Sequence, residues 1–246
     1  MDGPLFVGVD WGSDGWVAVA FGSDGLADAG VFDGVGDLWA NYEDRTERVC
    51  IDVPIGLVEE GDPLRKCDRL AREVLGSRSA SVFTPPVREA TRKQRYATAK
   101  KTNRRKTGQG LSKQAFHVSD GIAAVDELLQ EVPESRDVLV EAHPEVCFRA
   151  FAGEPLAHSK RVAAGYAERM RTLAEYDRDA PPVVQEAAEA TAGHEVAVDD
   201  VVDAVALAYT ARPGAGALRS LPPEPPTDAT GLPLRMFYRS SESLAD

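Results

Sequence analysis

Five acidic side chains stand where a hard cation could be gathered. Asp10 lies in LFVGVDWG, Asp52 in VCIDVPIG and Glu141 in VLVEAHPE, each at or just past the end of a short apolar run, while Asp200 and Asp203 lie in DDVVDAVALAYTA. Short β-branched apolar runs predict buried strands, and the last segment has the spacing of a helix. In an α/β protein the ends of neighbouring strands converge, so carboxylates far apart in the chain can meet at one mouth of the sheet. Mg²⁺ and Mn²⁺ prefer such oxygen ligands to thiolates or imidazoles. Two of these ions roughly 3.5–4 Å apart activate water, fix an in-line geometry and stabilise a leaving alkoxide, which is what phosphodiester hydrolysis needs. Asp200 and Asp203 are spaced i, i+3 and share a helical face, able to serve one ion. Asp203 sits in the apolar run VVDAVALA, where an acid is costly unless it meets a cation.

Each acid also has a structural alternative. Asp10 before Trp11-Gly12 could shape a turn, and Asp52 before Val53-Pro54 could mark an extended boundary. Asp199 reads as a helix cap. Glu141 is an extra ligand, a general base, or a salt-bridge partner at the edge of the core. His143, beside Glu141, could assist proton transfer or simply pack at a strand end; His117, His158 and His194 have no metal-ligand spacing. Trp11 and Trp16 read as packing around the first turn, with stacking on a base as the alternative.

These acids need a frame to position them. LFVGVDWGSDGWVAVAFGSDGLADAGVF reads as three strands joined by tight turns at two GSDG segments. A short helix follows at Val35 to Tyr42, then RVCIDVPIGL as a central parallel strand. Asp62 to Leu75 suits an amphipathic helix, with Leu64, Cys67, Leu70, Ala71 and Val74 on one face. SVFTPPVREA is a loop stiffened by prolines. Gln114 to Leu129 reads as one helix and DVLVEAHPE as a fifth strand. Helices are expected at Val146 to Ala152, Arg161 to Tyr176, Pro182 to Ala192 and Val198 to Ala211, the last ended by Pro213. PPEPP reads as a stiff linker, and PLRMFYR as a final edge strand. The expected class is α/β: a mixed five-stranded sheet, part antiparallel meander and part parallel, flanked by helices. It forms one domain over 1–246, with a helical and basic insertion about 58–135 between strands 4 and 5 and a Pro-rich tail about 213–246.

The formal charge is −12 and the pI about 4.9, against the simplest expectation for a nucleic-acid partner. Of 28 cations only seven are Lys, a composition that suits a salt-rich cytoplasm. Yet ten cations against one anion, Glu89, fall between Arg88 and Lys113. In that segment Arg92, Lys93, Arg95, Lys100, Lys101, Arg104, Arg105, Lys106 and Lys113 are candidate phosphate contacts that would guide a nucleic-acid backbone. The alternative is a solvated loop paired with the protein's own acidic surface. No apolar run approaches a membrane span and no secretory signal is evident, which predicts a cytoplasmic protein with no membrane partner. Cys50, Cys67 and Cys147 show no paired spacing, so buried free thiols are expected rather than a disulfide framework or a zinc site.

GVDWGSDGW, IDVPIGL, CDRLAREVLGSRSASVFTPP, GQGLSKQAF, EAHPEVCF and DDVVDAVALA together resemble the family catalogued as domain of unknown function 429, regarded as predicted ribonuclease H-like nucleases. The likeness runs from about Val7 to Ala211. It implies a ribonuclease H-like fold of the resolvase-like branch and metal-dependent nuclease activity. Asp10, Asp52 and Asp203 would be the metal ligands, with Asp200 the second helix carboxylate; Glu141 departs from the minimal set of three. Two rivals stand beside this reading: an actin-like or sugar-kinase-type phosphotransferase, which needs two such lobes, and a nucleic-acid-binding protein of the same fold without activity.

Overall fold

A computed structural model describes residues 3–12 and 14–245. Alternating apolar side chains and glycine-flanked turns make a meander of the first three strands: β1 (Leu5–Gly12), β2 (Gly15–Gly22) and β3 (Gly25–Phe32) pair antiparallel, and Gly22 stands opposite Gly25 across a two-residue turn. Helix α1 (Val35–Tyr42) buries Val35, Leu38, Trp39 and Tyr42, one helical stripe. β4 (Thr46–Ile51) then returns parallel to β1, and β5 (Leu139–Glu141) pairs parallel with β4. The result is the mixed five-stranded sheet expected, in the order β3-β2-β1-β4-β5.

Between β4 and β5 lie α2 (Lys66–Leu75), α3 (Arg88–Thr91), α4 (Tyr96–Thr107), α5 (Lys113–His117) and α6 (Ser119–Glu131). After β5 come α7 (Pro144–Ala152), α8 (Ala163–Tyr176), α9 (Ala180–Ala190) and α10 (Val198–Ala211), then β6 (Ala217–Leu221) paired antiparallel with β7 (Met236–Ser240). The pleat divides the core. Val7, Val9, Val49 and Ile51 point into one layer with residues of α1 and α6; Phe6, Cys50 and Val140 point into the other, with Leu207 of α10.

Gly8 lets α10 lie directly on β1. A Cβ there would stand 2.1 Å from both Ala204 O and Ala208 N, backbone that has nowhere to go. Gly8→Ala is therefore expected to cost about 1–3 kcal/mol of stability through overpacking, read as a lower urea midpoint; an unchanged midpoint would contradict this close approach.

The structure departs from the sequence reading in several places: α7, α8 and α9 are displaced by about two residues at an end, and the loop expected at SVFTPPVREA closes in the short helix α3. Asp62 to Arg65 stay outside α2, because the extended Arg65 is its N-cap, and both the backbone N and the guanidinium of Arg65 donate to the Asp68 carboxylate. The helix expected from Gln114 is broken at Val118, whose φ/ψ of −93/1 leaves the helical region. The tail is no linker: β6 and β7 enclose PPEPP, and Arg88 ties Asp228 of the tail to Asp126 of α6. Among the described residues no helix is long and apolar enough to cross a membrane. All three cysteines are buried free thiols.

Candidate functional site

The parallel β1–β4 register ends with Val9 opposite Ile51, and one further ladder bond runs from Asp52 N to Val9 O at 3.0 Å. Asp10 and Asp52 are thus neighbours at the carboxyl ends of adjacent strands, on the face that α10 covers. Asp203 reaches the same place from α10, because the contact at Gly8 seats the adjoining Ala204 on β1. Asp200, one turn earlier, folds over Gly12, where a Cβ would stand 2.7 Å from its Oδ2. Asp10, Asp52, Asp200 and Asp203 all line one cavity of about 700 Å³.

Glu141 does not join them. It is in register with Ile51, one residue short of Asp52, so the two-residue pleat sends its side chain to the opposite face. There its Oε1 and Oε2 accept from Arg65 Nη2 and Nη1 at 2.7 and 2.8 Å, and Oε2 also accepts from Ile55 N at 2.7 Å. This is the salt-bridge role, holding the turn that follows Asp52. Burial pushes the Glu141 carboxyl up to about 7, against the pull of Arg65.

The acid of EAHPE that does line the cavity is Glu145. Its Oε1 accepts from the buried Arg169 and from Arg78, and its Oε2 is buried without a partner. His143 N-caps α7 through Nδ1, which accepts from Glu145 N at 3.2 Å; its proton is therefore assigned to Nε2, 3.4 Å from Ser81 O. Asp199 is not the cap of α10: Ala197 holds that position, and Asp199 sits in the first turn.

A lysine sits among the acids. Lys160 Nζ donates to Asp203 Oδ2 at 2.6 Å and lies 3.3 Å from Asp199 Oδ2. Burial alone would depress its ammonium, but Asp203 and Asp10 outweigh burial and hold it raised. Burial and the charges of Asp52 and Asp203 push the Asp10 carboxyl well up; burial and Glu145 raise Asp52 against His143 and Lys160. Burial brings Asp203 to about 6 despite Lys160, and burial with Asp199 raises Asp200.

Do these residues suit a divalent cation? Their donors are all carboxylate oxygens, Asp203 Oδ1 is buried with no partner, and the acids raise one another's pKa in the way that cation binding relieves. Against this, among the described residues no three metal-ligating side chains stand close enough together to hold an ion as placed. The chemistry fits a cation; the present arrangement is one in which the Lys160 ammonium fills that role.

Residues 8–227 match the family described as Protein of unknown function (DUF429). The chain belongs to the DUF429 family. No curated protein and no solved structure matches it.

The basic segment of this DUF429 chain is split between two uses. Arg92 pairs with Asp126 and Glu127, Lys93 and Arg105 with Glu89, and Lys106 with Glu60. Arg88, at the start of that segment, is buried against Asp126, Asp228 and Glu59. Arg95, Lys100, Lys101, Arg104 and Lys113 are exposed and make no ion pair among the described residues. None of the nine candidate cations lines the acidic cavity, whose cations are Arg78, Lys160 and Arg161. Arg78 lies within CDRLAREVLGSRSASVFTPP, one of the segments that carry the family resemblance, whereas Lys160 lies in a loop outside all of them.

Proposed function

We propose that this protein is a divalent-metal-dependent nuclease of the ribonuclease H-like type, with Asp10, Asp52 and Asp203 as the residues that would hold Mg²⁺ or Mn²⁺. One observation carries the reading: carboxylates from two adjacent strand ends and one helix, nearly two hundred positions apart, open into a single cavity. The mixed sheet and the closing acidic helix support the fold type. When bound, the metal supplies Lewis acidity and activates water as a nucleophile. Arg78, Arg161 and His143 face the cavity and are placed to meet a phosphodiester. Asp200 neighbours Asp203 on the same helical face and adds negative charge at the mouth. Lys160 neutralises the acids until a cation takes its place, its four-carbon stem long enough to withdraw. Glu141 serves the stability of the fold, through Arg65 and Ile55 N on the opposite face of the sheet, and takes no part at the cavity. The nucleic acid such an enzyme would meet lies in the cytoplasm, where the proposal places it.

The ion pair of Lys160 with Asp203 favours a second reading, a nucleic-acid-binding protein whose acids are permanently neutralised. The two separate by titration with Mn²⁺ in a calorimeter. Under the nuclease reading wild type binds Mn²⁺, and Lys160→Ala, freed of its competitor, binds on the order of tenfold more tightly, about 1.4 kcal/mol. Binding by the variant alone would favour the second reading.

Activity itself is tested with labelled single-stranded, duplex and branched DNA and RNA, with Mg²⁺, Mn²⁺ or chelator. Metal-dependent cleavage is expected in wild type and not in Asp10→Asn. Equal cleavage by both would mark a contaminant, and metal-dependent ATP turnover would favour a phosphotransferase.

A further inference from the structure

Beside the acidic cavity lies a second one, of about 510 Å³, which shares Ala80, Phe83 and Gln114 with the first. We propose that it seats one unpaired base of a nucleic-acid strand whose neighbouring phosphate lies at the carboxylates, with Phe83 as the stacking face. The inference rests on the nuclease reading and narrows its substrate to strands with an unpaired nucleotide.

The volume lies within the range of small-ligand sites. The chemistry of the wall selects a base over a phosphate. Arg72 is its one charged side chain, and that guanidinium is committed to Val82 O at 3.0 Å and Thr84 Oγ1 at 2.9 Å. By contrast, the hydroxyl of Ser79 and the side-chain amides of Gln109 and Gln114, which line the same wall, make no hydrogen bond among the described residues, which leaves neutral donors and acceptors of the kind a base edge uses. Phe83 is half-buried, packed on its inner side against the core and against the α4–α5 region. Its position on the seam gives both cavities a common aromatic wall, as stacking of a strand on a protein requires.

The rim supplies the next charge. Tyr96 OH donates to Leu111 O at 2.9 Å, Lys100 Nζ lies 5.6 Å from the centre of the Tyr96 ring, and a Cβ on Gly110 would stand 3.4 Å from Lys100 Cε. Gly110 and Leu111 line the cavity, so an unpaired cation of α4 stands at its edge, suited to a flanking phosphate. A base within a duplex stack cannot enter such a recess unless it is turned out.

The test is fluorescence anisotropy in Ca²⁺ with a labelled single strand, a perfect duplex, and a duplex with one unpaired nucleotide, each as DNA and as RNA. Wild type is expected to bind the single strand and the interrupted duplex at least tenfold more tightly than the perfect duplex. Phe83→Ala and Phe83→Leu should each lose on the order of ten- to a hundredfold for the single strand, and Phe83→Trp should restore it. Phe83→Leu keeps the apolar packing, and an abasic strand presented to wild type removes the base without touching the fold; it should bind as weakly to wild type as to Phe83→Leu. A perfect duplex bound as tightly as the single strand, an abasic strand bound as tightly as the intact one, or a Phe83→Leu protein with wild-type binding would each overturn the proposal. Stacking-dependent binding in Ca²⁺ with no cleavage of the same strands in Mg²⁺ or Mn²⁺ would sink the nuclease reading and leave the base seat standing; cleavage in Mg²⁺ or Mn²⁺ indifferent to Phe83→Leu would do the reverse.

Discussion

Asp10→Asn is expected to abolish cleavage while making the metal-free protein less sensitive to pH. The loss follows from the assigned role: a carboxylate that holds the metal supports several kcal/mol of transition-state stabilisation, which at 1.36 kcal/mol per decade is on the order of a thousandfold or more. The stability effect follows from the same crowding. Asp10 is buried beside Asp52 and Asp203 and its carboxyl is raised well above the ordinary 3.8. A group raised in the folded state contributes stability that is fully present below its unfolded pKa and is lost as pH rises through the folded one. Asp203, raised to about 6, shares that sign, so its contribution is lost between about pH 4 and 6. Asparagine has no charge to bury and keeps an Oδ1 for the bond that Trp11 N donates at 2.9 Å. Urea unfolding from pH 4 to 8 in chelator should therefore fall less steeply with pH for Asp10→Asn than for wild type. Added Mn²⁺ should stabilise wild type and not the variant. A wild type whose stability is flat across that window and indifferent to Mn²⁺ would remove the basis of the metal assignment.

How much of this was legible in the residues depends on how local the cause is. The meander, α1 and the last strand pair of the main sheet follow from alternation, glycine turns and helical spacing. Asp10, Asp52, Asp200 and Asp203 could be placed near one another because strand ends and one helix face leave few alternatives. Glu141 was misplaced by a single residue of parity. VLVE ends in register with Ile51, whereas VCID reaches one position further, a difference visible only once the pairing is known. Glu145 and Lys160 came from tertiary approach: one through the N-terminal turn of α7, the other through the loop before α8. The basic run was visible as charge, but which of its members would be neutralised depended on partners as distant as Glu60, Asp126 and Asp228. The tail's β6 was missed because ALRSL alternates weakly and its partner lies beyond the prolines.

Arg65→Met carries the other large expected effect, a loss of about 3–5 kcal/mol of folding stability. Arg65 is 2 % exposed, and its guanidinium serves Glu141, Asp68 and the carbonyls of Ile55 and Gly56 at once. Methionine fills much of the volume but leaves two buried carboxylates without their cation. Glu141 is raised by burial even beside Arg65, so without it the penalty for ionising grows. Because a carboxyl raised in the folded state loses stability as pH rises through its folded value, the variant should be further below wild type at pH 8 than at pH 5. Adding Glu141→Gln and Asp68→Asn removes both stranded charges and should recover much of the loss, since a buried ion network can be replaced by neutral groups at little net cost. The same variants separate support from chemistry. Glu141→Gln in an otherwise intact protein should bind Mn²⁺ as wild type does, because its carboxylate lies across the sheet from the acidic cavity, while Asp52→Asn should not. Loss of Mn²⁺ binding in a well-folded Glu141→Gln protein would return that residue to the metal site and require β5 to pair one residue out of the register described.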